Sequence, residues 1–599
     1  MIKNKELLMG NEAIAMAAID SGVSFVSGYP GTPSTEILET IIKANIKNVY
    51  SEWSVNEKVA FEFAAGASIS GYRSLVTMKQ VGLNVCSDAV MNLSYIGTKG
   101  GLVIVVADDP GPMSSQTEQD TRNFAYFSKL PLFDPSSVQE AYSMTKEAFK
   151  VSEYFNTPVI LRTTTRISHS YSGVHRQKNK LSSVRKCFEK SNKWISFPEL
   201  SYENHKKIEK RFKLIENFFE GYSYYESYGE GKILFITSGI NYEYLKEAIT
   251  YLDLPKEKYI LLKAATIPIP ETIISEVLKT IDKIIVIEEL DYVIEKYLYY
   301  LLGKLSIGNK PIFGKLSGHI KIAGENTIDD IIKLLKKIYS IEDTLYPSND
   351  VILSDEKSVN LCAGCPHRAS FYIVKQAMKN KKTIFCGDIG CYTLGKFEPL
   401  NTIDTCLCMG ASITMGLSMQ MTNPKDIVIS FIGDSTFFHS GIQGIINGIA
   451  NEQNLTIVIL DNGCIAMTGG QSTPEFNGIS SGIPIENVLK GIGVEVIKTL
   501  SPFDFNKSIK VIKQVVELKG IKVVIFRSPC ILNETIKKTI VIDKMKCNKC
   551  KSCISQIGCP ALKEVYDSVE VDIEKCNGCG LCLNVCNNDA IFVQEKLNE

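Results

Sequence analysis

Eight cysteines fall within residues 547–586 in two runs, Cys547-x2-Cys550-x2-Cys553-x5-Cys559-Pro560 and Cys576-x2-Cys579-x2-Cys582-x3-Cys586. Triplets of this spacing, each followed by a distant fourth thiol, ligate pairs of [4Fe–4S] clusters, the fourth cysteine of each run serving the other cluster. On that pattern Cys547, Cys550, Cys553 and Cys586 hold one cluster, and Cys576, Cys579, Cys582 and Cys559 hold the second. Each triplet is expected on a tight turn, with the fourth cysteine starting the next short helix. The chemistry implied is one-electron transfer. Disulfides would need an oxidising compartment, and Met1-Ile2-Lys3-Asn4-Lys5 does not read as a secretory leader. Zinc ribbons use two Cys-x2-Cys pairs rather than triplets. The five residues before Cys559, and Asn587 where a proline usually follows, read as loop changes.

A second group of residues offers hard oxygen ligands. Asp426-Ile427-Val428-Ile429-Ser430-Phe431-Ile432 reads as a strand delivering Gly433-Asp434-Ser435 at its carboxyl end. A helical stretch follows, then a second strand, Leu455–Leu460, which delivers Asp461-Asn462-Gly463-Cys464. Carboxyl ends of neighbouring parallel strands are where open α/β sheets bind ligands. The Asp434 carboxylate and the Asn462 amide oxygen suit Mg²⁺, and glycine lets the backbone approach a phosphate. The plain alternative is two strand-end turns, since Gly-Asp and Asp-Asn-Gly are common turn formers.

The Gly433-Asp434-Ser435 and Asp461-Asn462 pair resembles the thiamine-diphosphate motif, Gly-Asp-Gly followed by Asn-Asn, with Ser435 and Asp461 as departures. The resemblance implies Asp434, Asn462 and the main-chain carbonyl of Cys464 as Mg²⁺ ligands. Residues 52–73, from Glu52-Trp53-Ser54-Val55-Asn56-Glu57 through Ala64-Ala65-Gly66-Ala67 to Gly71-Tyr72-Arg73, resemble the pyrimidine-binding domain of the same enzymes. There a buried glutamate hydrogen-bonds N1′ of the aminopyrimidine, and Glu57 takes that position. A lone helix glutamate would instead read as a solvated one.

Gly28-Tyr29-Pro30-Gly31-Thr32-Pro33-Ser34 is similar to the substrate loop of 2-oxoacid:ferredoxin oxidoreductases, which places Thr32 at the substrate carboxylate. Met78–Asn84, Asp108–Gly111, Ser114–Asp120, Leu361–Arg368, Gly387–Gly395 and Asp404–Ser412 narrow the likeness to the large (alpha) subunits of indolepyruvate ferredoxin oxidoreductases, over essentially the whole chain. The family implies oxidative decarboxylation of an arylpyruvate to an acyl-coenzyme A thioester and CO₂. It also implies thiamine diphosphate held between domains through Mg²⁺, a soluble ferredoxin as acceptor, and a smaller beta subunit in an α2β2 assembly. Related oxidoreductases carry a further cluster on a Cys-x2-Cys pair, a Gly-Cys and a late Pro-Cys. Cys362, Cys365, Cys391 and Cys530 occur in that order; the alternative reading is buried reduced thiols, with His367 and Arg368 facing the diphosphate instead. Rival functions are another 2-oxoacid specificity, a non-oxidative thiamine-dependent decarboxylase, and an electron-transfer subunit with a vestigial thiamine site.

These residues must be carried by several domains, because 599 residues exceed what one core supports. The expected class is α/β: parallel-sheet thiamine-diphosphate domains plus a small two-cluster ferredoxin-like module. Residues 1–180 form the pyrimidine domain, 181–229 a lysine-rich connector, 230–345 a middle α/β domain, 356–535 the diphosphate domain and 541–599 the cluster module. Lysine plus arginine equals aspartate plus glutamate at 66 each, so no global field favours nucleic acid or an anionic membrane. No run of about 18 apolar residues reads as a spanning helix. Eighteen cysteines without a leader point to a reducing cytoplasm.

Overall fold

The β-branched runs fold as buried parallel strands. Leu102–Asp108 is buried at every position, as a central strand covered on both faces must be. The computed structural model describes residues 5–177, 187–225, 227–308, 310–342, 360–475, 482–534, 538–566 and 568–595. The polar link at Pro347-Ser348-Asn349-Asp350, and with it the expected boundary at 345–356, lies outside those residues. The chain divides into two compact units, Met1–Ser348 and Asn349–Glu599.

In the first unit, a seven-stranded sheet runs in the order Thr266–Ile267, Leu132–Phe133, Val159–Thr164, Leu102–Asp108, Ser74–Lys79, Phe25–Gly28, Tyr50–Trp53. All its pairings are parallel except that of Thr266–Ile267. A second, four-stranded parallel sheet has Ile233–Thr237 and Lys283–Ile287 at its centre. Buried ion pairs stand among these segments, and one of them, Arg122–Glu288, joins the two sheets' segments. Arg122 binds Asp120 at 2.6 Å and Glu288 at 2.9 Å, and Arg162 binds Asp108 at 2.6 Å and Asp134 at 2.9 Å. Removing one partner of such a pair costs about 3–5 kcal/mol, because it strands the other charge. The polar stretch read as a connector contains a 22-residue helix, Pro198–Phe219, whose Ile208, Ile215 and Phe219 are buried. Its spaced apolar residues dock it on the first unit's core.

The second unit is built on a five-stranded parallel sheet ordered Thr383–Cys386, Ile427–Gly433, Leu455–Asp461, Ile521–Arg527, Val496–Leu500. The cysteine-rich tail adds two antiparallel strand pairs, Lys538–Ile542 with Ile591–Glu595 and Leu562–Val565 with Ser568–Val571. The tail is not an appendage: Ile540, Ile557, Leu581 and Val585 share one hydrophobic core with Phe371, Phe431 and Val458. The short helices lie differently from the expectation. Ser552–Ser555 and Leu581–Val585 contain the third cysteine of each run, and the fourth cysteines, Cys559 and Cys586, follow the helices rather than start them. Gly558, at φ +63°, turns the chain just before Cys559, and Pro560 cannot supply the N–H that a continuing helix would need.

Candidate functional site

In the first unit Thr32 and Glu57 follow the carboxyl ends of two neighbouring strands at one edge of the seven-stranded sheet, Phe25–Gly28 and Tyr50–Trp53. Asn56 caps the helix Glu57–Ile69 by accepting from the Val59 N–H at 2.9 Å, which fixes Glu57 as its first residue. Glu57 is 5% exposed. Gly82 lies against it so closely that a Cβ there would stand 2.6 Å from Glu57 Cγ and 2.7 Å from Oε1. A buried carboxylate facing a helix residue with no side chain differs from the solvated glutamate of the plain reading.

Thr32 lies in the loop after the strand Phe25–Gly28 and is joined to Pro33 by a cis peptide bond. Its carbonyl accepts from Ser114 Oγ at 3.0 Å. Lys79 ends the strand Ser74–Lys79 and donates to the Ser114 carbonyl at 3.1 Å. Burial lowers the pKa of Lys79, with Asp109 and Glu57 opposing. Lys79 was not singled out from the sequence, although a lysine closing an otherwise buried strand is itself a signal for the strand-end site.

In the second unit, Gly433-Asp434-Ser435 follows its strand as expected, and a short helical turn and a π-helical turn, Phe437–Gly441, succeed it. Asp434 accepts from the Ser435 N–H at 2.8 Å and from the Gly463 N–H at 2.9 Å. These bonds bring the two motif halves together at neighbouring strand ends. Burial, then Asp461 and Glu475, hold the Asp434 carboxyl well above the usual carboxylate range. No ion pair joins Asp434 to a basic side chain among the described residues.

Asn462 is 8% exposed, and its Nδ2 lies 3.5 Å from His367 Nε2. Burial pushes His367 down to about 4, so the imidazole is neutral at neutral pH. In the tautomer whose Nε2 accepts, the ring turns the amide so that Oδ1 faces away from it. The departure at Asp461 has a local cause: Asp461 pairs with Arg527, which also binds Glu475 at 2.7 Å and Glu486 at 2.9 Å. An asparagine at Asp461 would leave that guanidinium with one carboxylate fewer. Asp388 organises the same end of the sheet, accepting from Ile389, Gly410 and Ser412 N–H groups at 2.8, 2.9 and 3.0 Å.

The thiols fall into groups. Cys559, Cys576, Cys579 and Cys582 line one cavity of about 370 Å³, part of it open to solvent. Burial raises the Cys582 thiol, and its charged neighbours Cys579, Cys559 and Cys576 raise it further. Cys553 has Cys547 and Cys550 as its charged neighbours. Cys586 Sγ accepts from the Ala590 N–H at 3.3 Å. Outside the tail, burial pushes Cys391 to about 11, with Cys530 and Cys362 adding to the shift, and Cys365 neighbours Cys362. Cys530 also hydrogen-bonds the Cys464 thiol, a contact that the sequence did not disclose. Among the described residues no three His, Cys, Asp or Glu side chains converge as ligands of a single ion do.

Three family models match these regions. "Pyruvate flavodoxin/ferredoxin oxidoreductase, thiamine diP-bdg" covers residues 16–211, with Thr32 and Glu57 inside it. "Thiamine pyrophosphate enzyme, C-terminal TPP binding domain" covers 388–526, with Asp434 and Asn462 inside it. "4Fe-4S binding domain" covers 569–592, the second cysteine run. The chain is 36% identical to the indolepyruvate oxidoreductase subunit IorA of Methanothermobacter marburgensis, over 98% of this chain and 96% of that one. It is 35% identical to that of Pyrococcus horikoshii, over 93% and 92%. The chain belongs to the IorA family. The Archaeoglobus fulgidus IorA subunit gives the same picture at 36% identity, over 98% of this chain and 97% of that one. As an IorA-family chain it is an α/β protein with thiamine-diphosphate-binding parallel-sheet domains and a C-terminal iron–sulfur module. No helix among the described residues is long and apolar enough to cross a membrane.

Proposed function

We propose that this chain is the thiamine-bearing subunit of an enzyme that oxidises arylpyruvates, indolepyruvate among them, to the aryl-acetyl-coenzyme A and CO₂. The bond to the carboxylate breaks, a thioester forms, and two electrons leave singly through iron–sulfur clusters to ferredoxin. The observation that carries this reading is the likeness to IorA subunits along nearly the whole chain, thiamine and iron–sulfur segments included. A smaller beta subunit completes the assembly as α2β2, and coenzyme A and ferredoxin are its further partners.

Thiamine diphosphate, when bound, supplies the carbon nucleophile and takes up the electron pair released with CO₂. The chain's own groups fit such a cofactor. Asp434, Asn462 and the Cys464 carbonyl would hold Mg²⁺ on the diphosphate, with Gly433 and Ser435 beside it. The buried acid without a basic partner is what supports that assignment. Glu57 would exchange a proton with the aminopyrimidine ring, shielded from water by its burial. Thr32 would meet the substrate carboxylate.

Two clusters are assigned to the tail, on Cys547, Cys550, Cys553 and Cys586 and on Cys576, Cys579, Cys582 and Cys559. The cavity lined by the second set supports the grouping. A third is assigned to Cys362, Cys365, Cys391 and Cys530. Serine at both Cys362 and Cys365 should lower the iron content by about four atoms per chain, one cubane's worth. Unchanged iron and sulfide in the purified protein would remove the third cluster.

The decisive assay is anaerobic, with the α–β complex, coenzyme A, ferredoxin and a panel of 2-oxoacids. Arylpyruvates should reduce ferredoxin, and Glu57→Gln should slow them by roughly 10²–10⁴-fold, the usual contribution of a positioned acid–base group. A preference for pyruvate over every aryl substrate would overturn the substrate assignment. Full activity of Glu57→Gln would overturn the role of Glu57.

A further inference from the structure

Arg368 stands out in the second unit as a buried cation with no acid beside it. It lies in the first turn of the helix Pro366–Ala377, directly after Cys365, and is 3% exposed. Its guanidinium donates to the carbonyls of Ile557 at 2.9 Å and Gly558 at 2.8 Å, and to that of Leu361. The fork therefore ties the loop before Cys362 to the turn before Cys559. Its Nε is buried and has no partner, and no ion pair joins Arg368 to a carboxylate among the described residues. The ionisable groups that it does face are all thiols: Cys559, Cys365, Cys362 and Cys579. Arg368 also lines the cavity that Cys559, Cys576, Cys579 and Cys582 share.

A guanidinium removed from water needs a compensating negative charge, and neutral thiols supply none. Four thiolates on a [4Fe–4S] core do, because the ligated cluster is a net anion. The two loops are held tightly enough for a single charge to serve both. A Cβ on Gly364, at φ +73°, would stand 1.9 Å from Asn577 Nδ2, so the Cys362–Cys365 loop lies directly on the Cys576–Cys579 turn. The Gly364 N–H also donates to Cys559.

We propose that Arg368 is the countercharge of the cluster held by Cys559, Cys576, Cys579 and Cys582, and that it makes this cluster the easier one to reduce by electrons arriving from the Cys362–Cys365 side. Each reduction adds one electron and one negative charge to the cluster, and the fixed guanidinium offsets that charge without a proton being taken up. Net charge and hydrogen bonding around the sulfurs are established controls of cluster potential. In this role Arg368 acts through the cluster it faces, as a positioning residue for electron transfer.

The inference rests on the proposed tail clusters, and one experiment separates the two. Wild-type, Arg368→Gln and Arg368→Lys holoenzymes are assayed for iron and sulfide, then titrated anaerobically with spectroscopic detection of the reduced clusters. Wild-type protein without tail iron would defeat the cluster reading itself. With iron retained, Arg368→Gln should make one cluster at least tenfold harder to reduce, a fall of about 59 mV for a one-electron couple. Arg368→Lys, which keeps the charge, should move it by less than half as much. Loss of one cluster's iron in Arg368→Gln but not in Arg368→Lys also supports the countercharge. Full iron with unmoved potentials in Arg368→Gln overturns it. So does equal damage by both variants, which would mean that Arg368 matters only for its hydrogen-bonded fork.

Discussion

Alanine at Gly82 should remove most turnover while leaving a folded protein. Gly82 lies within the helix Gln80–Val85, where alanine is intrinsically favoured over glycine by about 1 kcal/mol. Propensity alone would make Gly82→Ala stabilising. The new methyl, however, would stand 2.6 Å from Glu57 Cγ and 2.7 Å from Oε1, well inside contact distance. Overpacking of this kind costs about 1–3 kcal/mol, so the net change in stability should be small or modestly unfavourable. The cheapest relief is rotation of the Glu57 side chain, because it is the movable partner. That rotation takes the carboxylate from its position, and a misplaced acid–base group forfeits about 10²-fold or more in rate. Gly66→Ala is the control. It lies in the same helix as Glu57, and a Cβ there meets nothing within 4 Å. Gly66→Ala should keep full activity and gain a little stability. Thermal unfolding with ferredoxin-coupled assays of both variants decides the matter. Turnover by Gly82→Ala within about threefold of wild type would mean that the rate does not depend on where Glu57 stands.

The contrast between those glycines shows where the sequence was legible. Glu57 and Asp434 stand out in the sequence by their likeness to thiamine-diphosphate motifs, and the structure buries the first and joins the second to the Asp461–Cys464 turn. The strands anticipated at 426–432 and 455–460 occur at Ile427–Gly433 and Leu455–Asp461, since burial on both faces leaves little freedom for such a segment. What could not be read depends on residues far apart in sequence. Gly82 matters because of Glu57, 25 residues earlier, and Arg368 because of a turn about 190 residues later. Asp461 looked like an imperfect asparagine, and only Arg527 at the end of the neighbouring strand explains the acid. The tail reads as a separate module by its cysteine runs, yet its aliphatic residues complete a core begun near Phe371. The spacing predicts a helix starting at Cys559; instead Gly558, at φ +63°, turns the chain and it passes into the strand Leu562–Val565.

That shared core predicts a difference between two tail cysteines which the spacing alone treats alike. Cys550→Ser should stop ferredoxin reduction and leave both the fold and thiamine binding intact. Cys582→Ser should stop ferredoxin reduction and also destabilise the second unit. Cys550 is exposed, and hydrogen bonds from the Ser552 side chain and backbone lower its pKa, favouring the thiolate that iron requires. Cys582 is 7% exposed and belongs to the core that the tail shares with the sheet domain. A serine there buries a hydroxyl among thiols and aliphatic groups, at about 1–3 kcal/mol if it finds no partner. It also removes one thiol of the set proposed to hold a cluster between the Cys559 turn and the Cys576–Cys582 run. The inner group, beside Gly364 and Arg368, is placed to receive electrons from within the unit. The group containing exposed Cys550 is then the one to pass them to a docked ferredoxin. Each variant should lose one cluster's iron, so iron content cannot tell them apart. Thermal stability and thiamine binding can. If Cys550→Ser lacks that iron yet reduces ferredoxin at the wild-type rate, the exit does not run through the outer cluster, and electrons leave from the inner one.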